Sequence, residues 1–199
     1  MIKIKRFIGG ALEANGYVIY HHDGGQGYII DPGYNAGWYK DFLVEHDLHI
    51  KAILLTHHHY DHVGAVDKLR GDLNCPVYLH RADLPMYKGE VDRVLDGGEV
   101  LSFDDEELVV IHSPGHTKGG VCYFSERSRV VFTGDTIFNV DIGRTDLPGD
   151  GEPYVMKDTM NNVVNKWDND IVIYPGHGDS ANMKYVRKHN FEFIEALDD

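Results

Sequence analysis

The sequence predicts a mixed α/β protein, and three of its features point that way. Nine short runs rich in β-branched or aromatic residues, each bounded by turn residues, have the length and composition of strands. Four longer stretches have the composition of helices and lie between or after these runs. No repeat, low-complexity tract or linker divides the chain. Strands and helices are therefore expected to share one layered core.

The strand-like runs are spread along the whole chain. They cover residues 3–8, 15–20, 26–31, 51–56, 76–80, 107–112, 120–124, 129–135 and 170–176. Asp23, Gly24 and Gly25 separate the second run from the third, and this combination favours a hairpin turn. The beginning of the sheet is therefore expected to be antiparallel.

The helical stretches cover residues 36–47, 62–73, 153–167 and 180–197. Pro153 stands at the start of the third, where its missing N–H costs nothing. Ser180 is expected to cap the fourth, since a serine side chain can accept a hydrogen bond from the first turn of a helix.

Length and composition predict one globular domain spanning residues 1–199. The chain has 199 residues, of which 42% are hydrophobic and 26% charged, so it can bury a core without disulfides. Its two cysteines, Cys75 and Cys122, have no metal-binding or redox spacing and are expected to be small buried side chains. A reducing cytoplasm is the simplest location for such a chain.

Charge and hydropathy limit the kinds of partner. The formal net charge of −13 would repel a phosphate backbone, which argues against nucleic acid. No apolar run is long enough for a membrane span, and Gly9 and Gly10 interrupt the N-terminal segment before a signal peptide could form. We therefore expect a small-molecule substrate, with neither nucleic acid nor membrane as partner; the sequence assigns no oligomeric state.

Residues 56–62, THHHYDH, are the clearest candidates for metal ligands. In an extended loop alternate side chains face the same way, so His57 and His59 can bind one ion while His58 points elsewhere. Asp61 and His62 lie where the next helix is expected to begin and can reach a second ion. Two such ions would lie roughly 3.5–4 Å apart, as in binuclear sites.

Other strand ends supply the remaining ligands, because the carboxyl ends of strands commonly meet at one site. A first half-site would consist of His57, His59 and His116, and a second of Asp61, His62 and His177, with Asp135 shared. Each ion keeps a position for water, which is typical of a catalytic site. Two divalent ions are expected, zinc first, although iron and manganese suit the same ligands.

The ordered motifs H-x-H-x-D-H, Gly-His, Gly-Asp and Gly-His closely resemble those of the metallo-β-lactamase superfamily. This resemblance implies a four-layer αββα sandwich with a binuclear centre. The segments GRTDLPGD (residues 143–150), SPGHTKGGVCYF (113–124) and FTGDTIF (132–138) resemble compact bacterial members of the glyoxalase II, or hydroxyacylglutathione hydrolase, group. The resemblance to this family further implies that Asp31 orients the ligand loop and that Arg144 contacts substrate. It also implies that the C-terminal helical domain of full-length glyoxalase II is absent.

The expected reaction is hydrolysis of a thioester. A water bridging two ions has a lowered pKa and can attack as hydroxide, and Asp61 can both bind metal and accept the proton. A thiolate is a good leaving group, so no protein acid is required. S-Lactoylglutathione, or a related acylated thiol, is the expected substrate.

Two other functions fit parts of the same pattern. The persulfide dioxygenases resemble this chain, share a Gly-Arg-Thr-Asp segment and use one ferrous ion held by two histidines and an aspartate. A lactonase or a β-lactamase could use the same hydroxide chemistry. A non-catalytic metal-binding scaffold is the third kind of protein to consider, but all seven ligand positions are filled, which argues against it.

Overall fold

The structure is a computed structural model in which residues 1–197 are described. Within them the chain forms two six-stranded β-sheets. The predicted domain ends at residue 199, so its last two residues lie outside the described part.

The first sheet contains the N-terminal strands in chain order. They are β1 (Lys3–Gly9), β2 (Ala14–Tyr20), β3 (Gln26–Ile30), β4 (His49–Leu54), β5 (Val77–His80) and β6 (Arg93–Leu95). The first three are antiparallel, as the hairpin signal predicts, and the others pair in parallel. The carboxyl ends of β3, β4 and β5 therefore meet at one edge.

The second sheet contains the remaining strands. They are β7 (Val100–Phe103), β8 (Glu106–His112), β9 (Val121–Ser125), β10 (Val130–Gly134), β11 (Val172–Pro175) and β12 (Ala181–Asn182), in the reverse spatial order β12 to β7. Only β10 and β11 are parallel neighbours; the other pairs are antiparallel.

Helices lie on the outer face of each sheet. Those near the first sheet are α1 (Ala36–Glu45), α2 (Tyr60–Val63) and α3 (Val66–Leu73), and those near the second are α4 (Pro153–Asn162), α5 (Met183–His189) and α6 (Phe191–Leu197). Short 3₁₀ turns cover Arg81–Asp83 and Val164–Lys166. The longest helices have ten residues, and none of those described could cross a membrane.

Three buried clusters confirm the four-layer αββα sandwich. Between the sheets, Tyr17 of β2 packs edge to face against Phe132 of β10. The neighbouring Val18 points the other way, into a cluster with α1 and α3, as the two-residue period of a strand requires. A third cluster joins the second sheet to its helices through residues such as Met160 and Val186. Both cysteines are buried, as predicted.

The second predicted helix, residues 62–73, forms two pieces. The ligand loop turns once through α2 before α3 begins at Val66. Gly64 joins them, and a Cβ there would lie 2.5 Å from the carbonyl oxygen of Gly33. The N–H of Ala65 donates to the carbonyl of Pro32 at 2.9 Å, outside the helix, so this contact between the two loops separates α2 from α3.

The last predicted helix, residues 180–197, also differs from the structure. The cap is Asn182, whose Oδ1 accepts from the N–H of Tyr185, so the prediction of a Ser180 cap is wrong. Asn190 then leaves the helical conformation, and its side-chain amide donates to the carbonyls of Phe138 and Asp141. These long-range bonds divide the stretch into α5 and α6.

Three short strands, β6, β7 and β12, were missed by the sequence prediction. They have three, four and two residues. Runs this short carry little periodicity, so their neighbours in the sheet determine their conformation.

Candidate metal centre

All seven predicted ligands converge at one edge of the sandwich. His57 and His59 follow β4, Asp61 and His62 lie on α2, and the other three follow β8, β10 and β11. The structure thus brings the predicted set together; its metal-binding role remains a prediction.

Glycines before two ligands allow this close packing. Gly134, which precedes Asp135, has a φ of +48°, and a Cβ there would lie 2.2 Å from Thr56 Oγ1. At Gly176, which precedes His177, a Cβ would lie 2.1 Å from Asp135 Oδ1. Larger residues at either position would push the ligand loops apart.

The first half-site contains three imidazoles whose candidate ligand atoms lie within 4.8 Å of one another. His59 Nδ1 is 3.0 Å from His116 Nε2. The ring of His57 lies edge-on to both neighbours, with centroid distances of 4.8 and 5.1 Å. Three nitrogens from two different sheets therefore face a common point.

The second half-site combines a carboxylate with two imidazoles. Asp61 Oδ2 lies 3.3 Å from His62 Nε2 and 3.2 Å from His177 Nε2. The two Nε2 atoms are 3.3 Å apart. All three sides of this triangle have nearly the same length.

Asp135 lies between the two half-sites. Its Oδ2 is 3.4 Å from His116 Nε2 and 3.4 Å from His177 Nε2, and its Oδ1 is 3.3 Å from His62 Nε2. The carboxylate is almost buried, at 8% exposure. It is therefore placed where a shared ligand would be needed.

Hydrogen bonds at the outer ring nitrogens determine which atoms face the centre. His116 Nδ1 donates to the carbonyl of Arg144 at 2.8 Å, and His177 Nδ1 donates to the carbonyl of Leu12 at 2.9 Å. Because a carbonyl oxygen can only accept, both Nδ1 atoms carry the proton. In the neutral ring each Nε2 then presents a lone pair to the site.

His57 is oriented through Thr56. The Thr56 hydroxyl donates to Asp31 Oδ2 at 2.5 Å and is 2.9 Å from His57 Nδ1, from which it must accept. The Thr56 N–H also donates to Asp31 Oδ1, at 2.7 Å. Asp31 thus contacts the ligand loop through Thr56, while its role in orienting that loop remains a prediction. Among the residues described, His57 Nε2 is left buried without a hydrogen-bond partner.

These contacts fit divalent ions. Two ligand atoms at zinc-bond length from a tetrahedral ion lie about 3.3–3.4 Å apart. The separations in the second half-site are 3.2–3.3 Å. Lone pairs facing one another at this distance repel unless a cation or proton lies between them. The orphaned His57 Nε2 is explained in the same way.

The electrostatics of the two half-sites differ. Burial, reinforced by neighbouring imidazoles, lowers the pKa of His57 well below its usual range, so this ring is neutral. Burial also opposes charge on His177, but contacts with Asp135 and Asp61 outweigh it and raise the pKa of His177 to about 9. A metal ion would therefore displace a proton from the second half-site but find the His57 lone pair available.

His58 points away from the other candidate ligands, as expected, and its ring contacts two aspartates. It is 8% exposed, and its ring contacts Asp83 Oδ2 at 3.0 Å and Asp150 Oδ2 at 3.3 Å. Asp150 also lies 3.2 Å from His59 Nε2. Sequence reasoning missed both aspartates; the only signal was the position of Asp150 at the end of the GRTDLPGD segment.

An open cleft of about 1530 Å³ lies over the half-sites. Its apolar lining includes Tyr60, Phe138, Ile142, Leu147 and Met156. Arg144 also lines it, but its guanidinium makes two bonds to Asp146, at 2.7 and 2.9 Å. Both side chains are exposed, so this pair is weak and substrate could displace it.

Comparison with known proteins identifies both relatives and similar structures. The family model described as the metallo-beta-lactamase superfamily matches residues 9–178. The chain is 31% identical to the probable metallo-hydrolase YqgX of Bacillus subtilis, over 95% of this chain and 96% of the relative. It is 33% identical to hydroxyacylglutathione hydrolase GloC of Haemophilus influenzae, over 81% of this chain and 84% of the relative.

Two solved structures have a closely similar fold. The BLEG-1 B3 metallo-beta-lactamase matches with a TM-score of 0.86 and 31% identity, covering 96% of this chain and 99% of that one. TTHA1623, solved in a di-iron-bound form, matches with a TM-score of 0.83 and 30% identity, covering 94% and 98%.

Proposed function

The chain belongs to the metallo-β-lactamase superfamily as a metal-dependent hydrolase, and from that premise we propose that it cleaves thioesters at a binuclear centre. The observation that carries this proposal is the pair of half-sites joined by Asp135 under an open cleft. S-Lactoylglutathione is the proposed substrate, and the similarity to a relative named hydroxyacylglutathione hydrolase supports it.

Each half-site would hold one ion, with Asp135 shared between them. When bound, the ions supply a water of lowered pKa and polarise the substrate carbonyl. Asp61 lines the cleft, and its carboxylate lies against His62 and His177. We assign it two tasks, as a metal ligand and as the acceptor for the proton of the attacking water.

A thioester suits these residues because its leaving group departs as a thiolate. Thiolates are stable near neutral pH, so the reaction does not depend on a protein acid. The apolar walls of the cleft can cover the acyl group and exclude water, while the open mouth accommodates a peptide-sized thiol. Arg144 is our candidate contact for a carboxylate of that thiol.

Zinc is the proposed metal, and iron is the second choice. Imidazole and carboxylate ligands bind both. The similarity to a structure solved in a di-iron form is the observation that favours iron.

The proposal is tested by combining metal analysis with activity assays. Protein purified without added metal should contain two ions per chain and hydrolyse S-lactoylglutathione. His177→Ala should lose mainly the second ion and with it most hydrolysis, since His177 contacts both Asp61 and Asp135. His49→Ala is the matched control, because His49 is an exposed histidine at the opposite end of β4.

Three results would contradict the proposal. Full hydrolysis by His177→Ala would exclude a binuclear mechanism. One iron per chain, with oxygen consumed on glutathione persulfide, would indicate a dioxygenase. Hydrolysis of a chromogenic β-lactam in preference to thioesters would indicate the activity named for the similar B3 structure.

A further inference from the structure

We propose that Asp150, held in place by His58 and Asp83, is a positioning residue for the ligand His59. A chain of contacts carries this inference. Asp83 Oδ2 lies 3.0 Å from His58 Nδ1, His58 Nε2 lies 3.3 Å from Asp150 Oδ2, and the same oxygen lies 3.2 Å from His59 Nε2. The proposal rests on the ligand assignment above but not on the identity of the substrate.

Asp83 is the fixed end of this chain. It is 1% exposed, and its carboxylate accepts from the N–H of Gly119 at 2.6 Å and from the hydroxyl of Thr117 at 3.0 Å. It also accepts from the N–H of His58 at 3.1 Å. These donors come from loops attached to both sheets, so the carboxylate has little freedom to move.

His58 transmits this rigidity to Asp150. Its two ring nitrogens lie 3.0 and 3.3 Å from carboxylate oxygens, so the ring is placed between two acidic groups. Asp150 ends a loop whose neighbouring pair, Arg144 and Asp146, is exposed to solvent. Its own carboxylate is nonetheless almost buried, with the rings of His58 and His59 against it.

His59 differs from the other ligand histidines. His116 and His177 present Nε2 to the centre because their Nδ1 atoms donate to backbone carbonyls. His59 presents Nδ1, which lies 3.0 Å from His116 Nε2, while its Nε2 contacts Asp150. Asp150 therefore selects both the orientation and the tautomer of the His59 ring, and this effect concerns the first half-site alone.

The test measures metal affinity without substrate. The two zinc dissociation constants of the full chain are determined by competition with a chelator, and the absorption of the cobalt-substituted protein reports ligand geometry. Removing a partner that orients a ligand typically weakens metal affinity by about 10–100-fold. Asp150→Ala should therefore lower the affinity for one ion by about this factor and leave the affinity for the other unchanged. Asp150→Asn keeps an acceptor oxygen, so its zinc affinity should fall less than that of Asp150→Ala.

A second background identifies the affected half-site. In His177→Ala, which should retain only the first ion, adding Asp150→Ala should weaken the binding of that ion by the same factor of about 10–100. His58→Gln should cause a smaller loss in the same half-site. Asp146→Ala is the matched control, because it removes an exposed aspartate from the same segment and should leave both affinities unchanged.

Several outcomes would overturn the inference. Wild-type affinities in Asp150→Ala would show that His59 needs no positioning. If the affinities for both ions fell equally and the metal-free protein unfolded at a lower temperature, Asp150 would have a structural role. Three ions bound by the wild type and two by Asp150→Ala would make Asp150 a ligand. Because no measurement uses a thioester, these outcomes are independent of the proposed activity.

Discussion

At the scale of single residues, the orientation of three ligand histidines depends on the partner of the outer ring nitrogen. Backbone carbonyls serve His116 and His177, whereas His57 relies on the hydroxyl of Thr56. That hydroxyl donates to Asp31 and accepts from His57 at the same time. One side chain therefore keeps two buried polar groups paired.

Thr56→Val should expose the importance of this hydroxyl. The substitution leaves Asp31 Oδ2 and His57 Nδ1 without their partner, and an unpaired buried polar group costs about 1–3 kcal/mol. The free energy of unfolding of the metal-free protein, measured by urea denaturation, should fall by about that amount. Thr56→Ser retains the hydroxyl and should remain close to wild type; equal losses in both variants would contradict the assignment.

At the scale of the elements, Asp83 holds three loops together at the carboxyl edge of the sandwich. It lies in the 3₁₀ turn after β5 and accepts from the loop after β4 and from the loop between β8 and β9. Burial alone would raise its pKa, but the contact with His58 and these hydrogen bonds outweigh burial and lower it. The charged form is therefore the one that stabilises the fold.

The effect of Asp83→Asn should depend on pH. The pKa of Asp83 in the folded protein lies below the usual value of about 3.9. The stabilisation that its carboxylate gives the fold is therefore complete above that value and is lost as the pH falls through the folded pKa. At pH 7 the variant should lose about 1–3 kcal/mol of unfolding free energy. Denaturation curves at decreasing pH should show this difference shrinking below about pH 4.

Asp96→Asn provides the control for this pH series. Asp96 is an aspartate in a neighbouring loop that pairs with Arg81, and both side chains are exposed. Its replacement should have little effect at any pH. If the difference in unfolding free energy between Asp83→Asn and wild type stayed constant from pH 7 to the acid range, the charge of Asp83 would have no stabilising role.

At the scale of the whole molecule, the candidate centre connects the two halves of the sandwich. The first half-site takes His57 and His59 from the side of the first sheet and His116 from that of the second. In the second half-site, Asp61 and His62 belong to the first sheet's side, and His177 follows β11. Each ion would therefore link both sheets.

Metal removal should accordingly lower the stability of the fold. An ion that binds only the folded chain stabilises it by about 4 kcal/mol when its free concentration is roughly 1,000 times Kd. Chelator-treated protein should unfold at a lower temperature than zinc-reloaded protein, with faster hydrogen exchange at the carboxyl ends of β4 and β10. Adding zinc back to chelator-treated His177→Ala should raise its unfolding temperature by less than it raises that of the wild type. Equal unfolding temperatures with and without zinc would contradict this linkage.

Much of the fold could be predicted because its signals are local. The nine predicted strands are present, and their alternation agrees with burial on two faces, as Tyr17 and Val18 show. The shortest strands and the break at Asn190 could not be predicted, because pairing and hydrogen bonds with distant residues decide them.

The sequence alone determined which residues could form the centre, since chain order and strand ends specify His57, His59, Asp61, His62, His116, Asp135 and His177. Only the tertiary structure decided how each ring is turned. Asp150 lies 91 residues from His59 in the chain, and no local spacing relates the two. Ring orientation depends on hydrogen bonds across the fold, so the partner of His59 emerges only when both sheets are assembled.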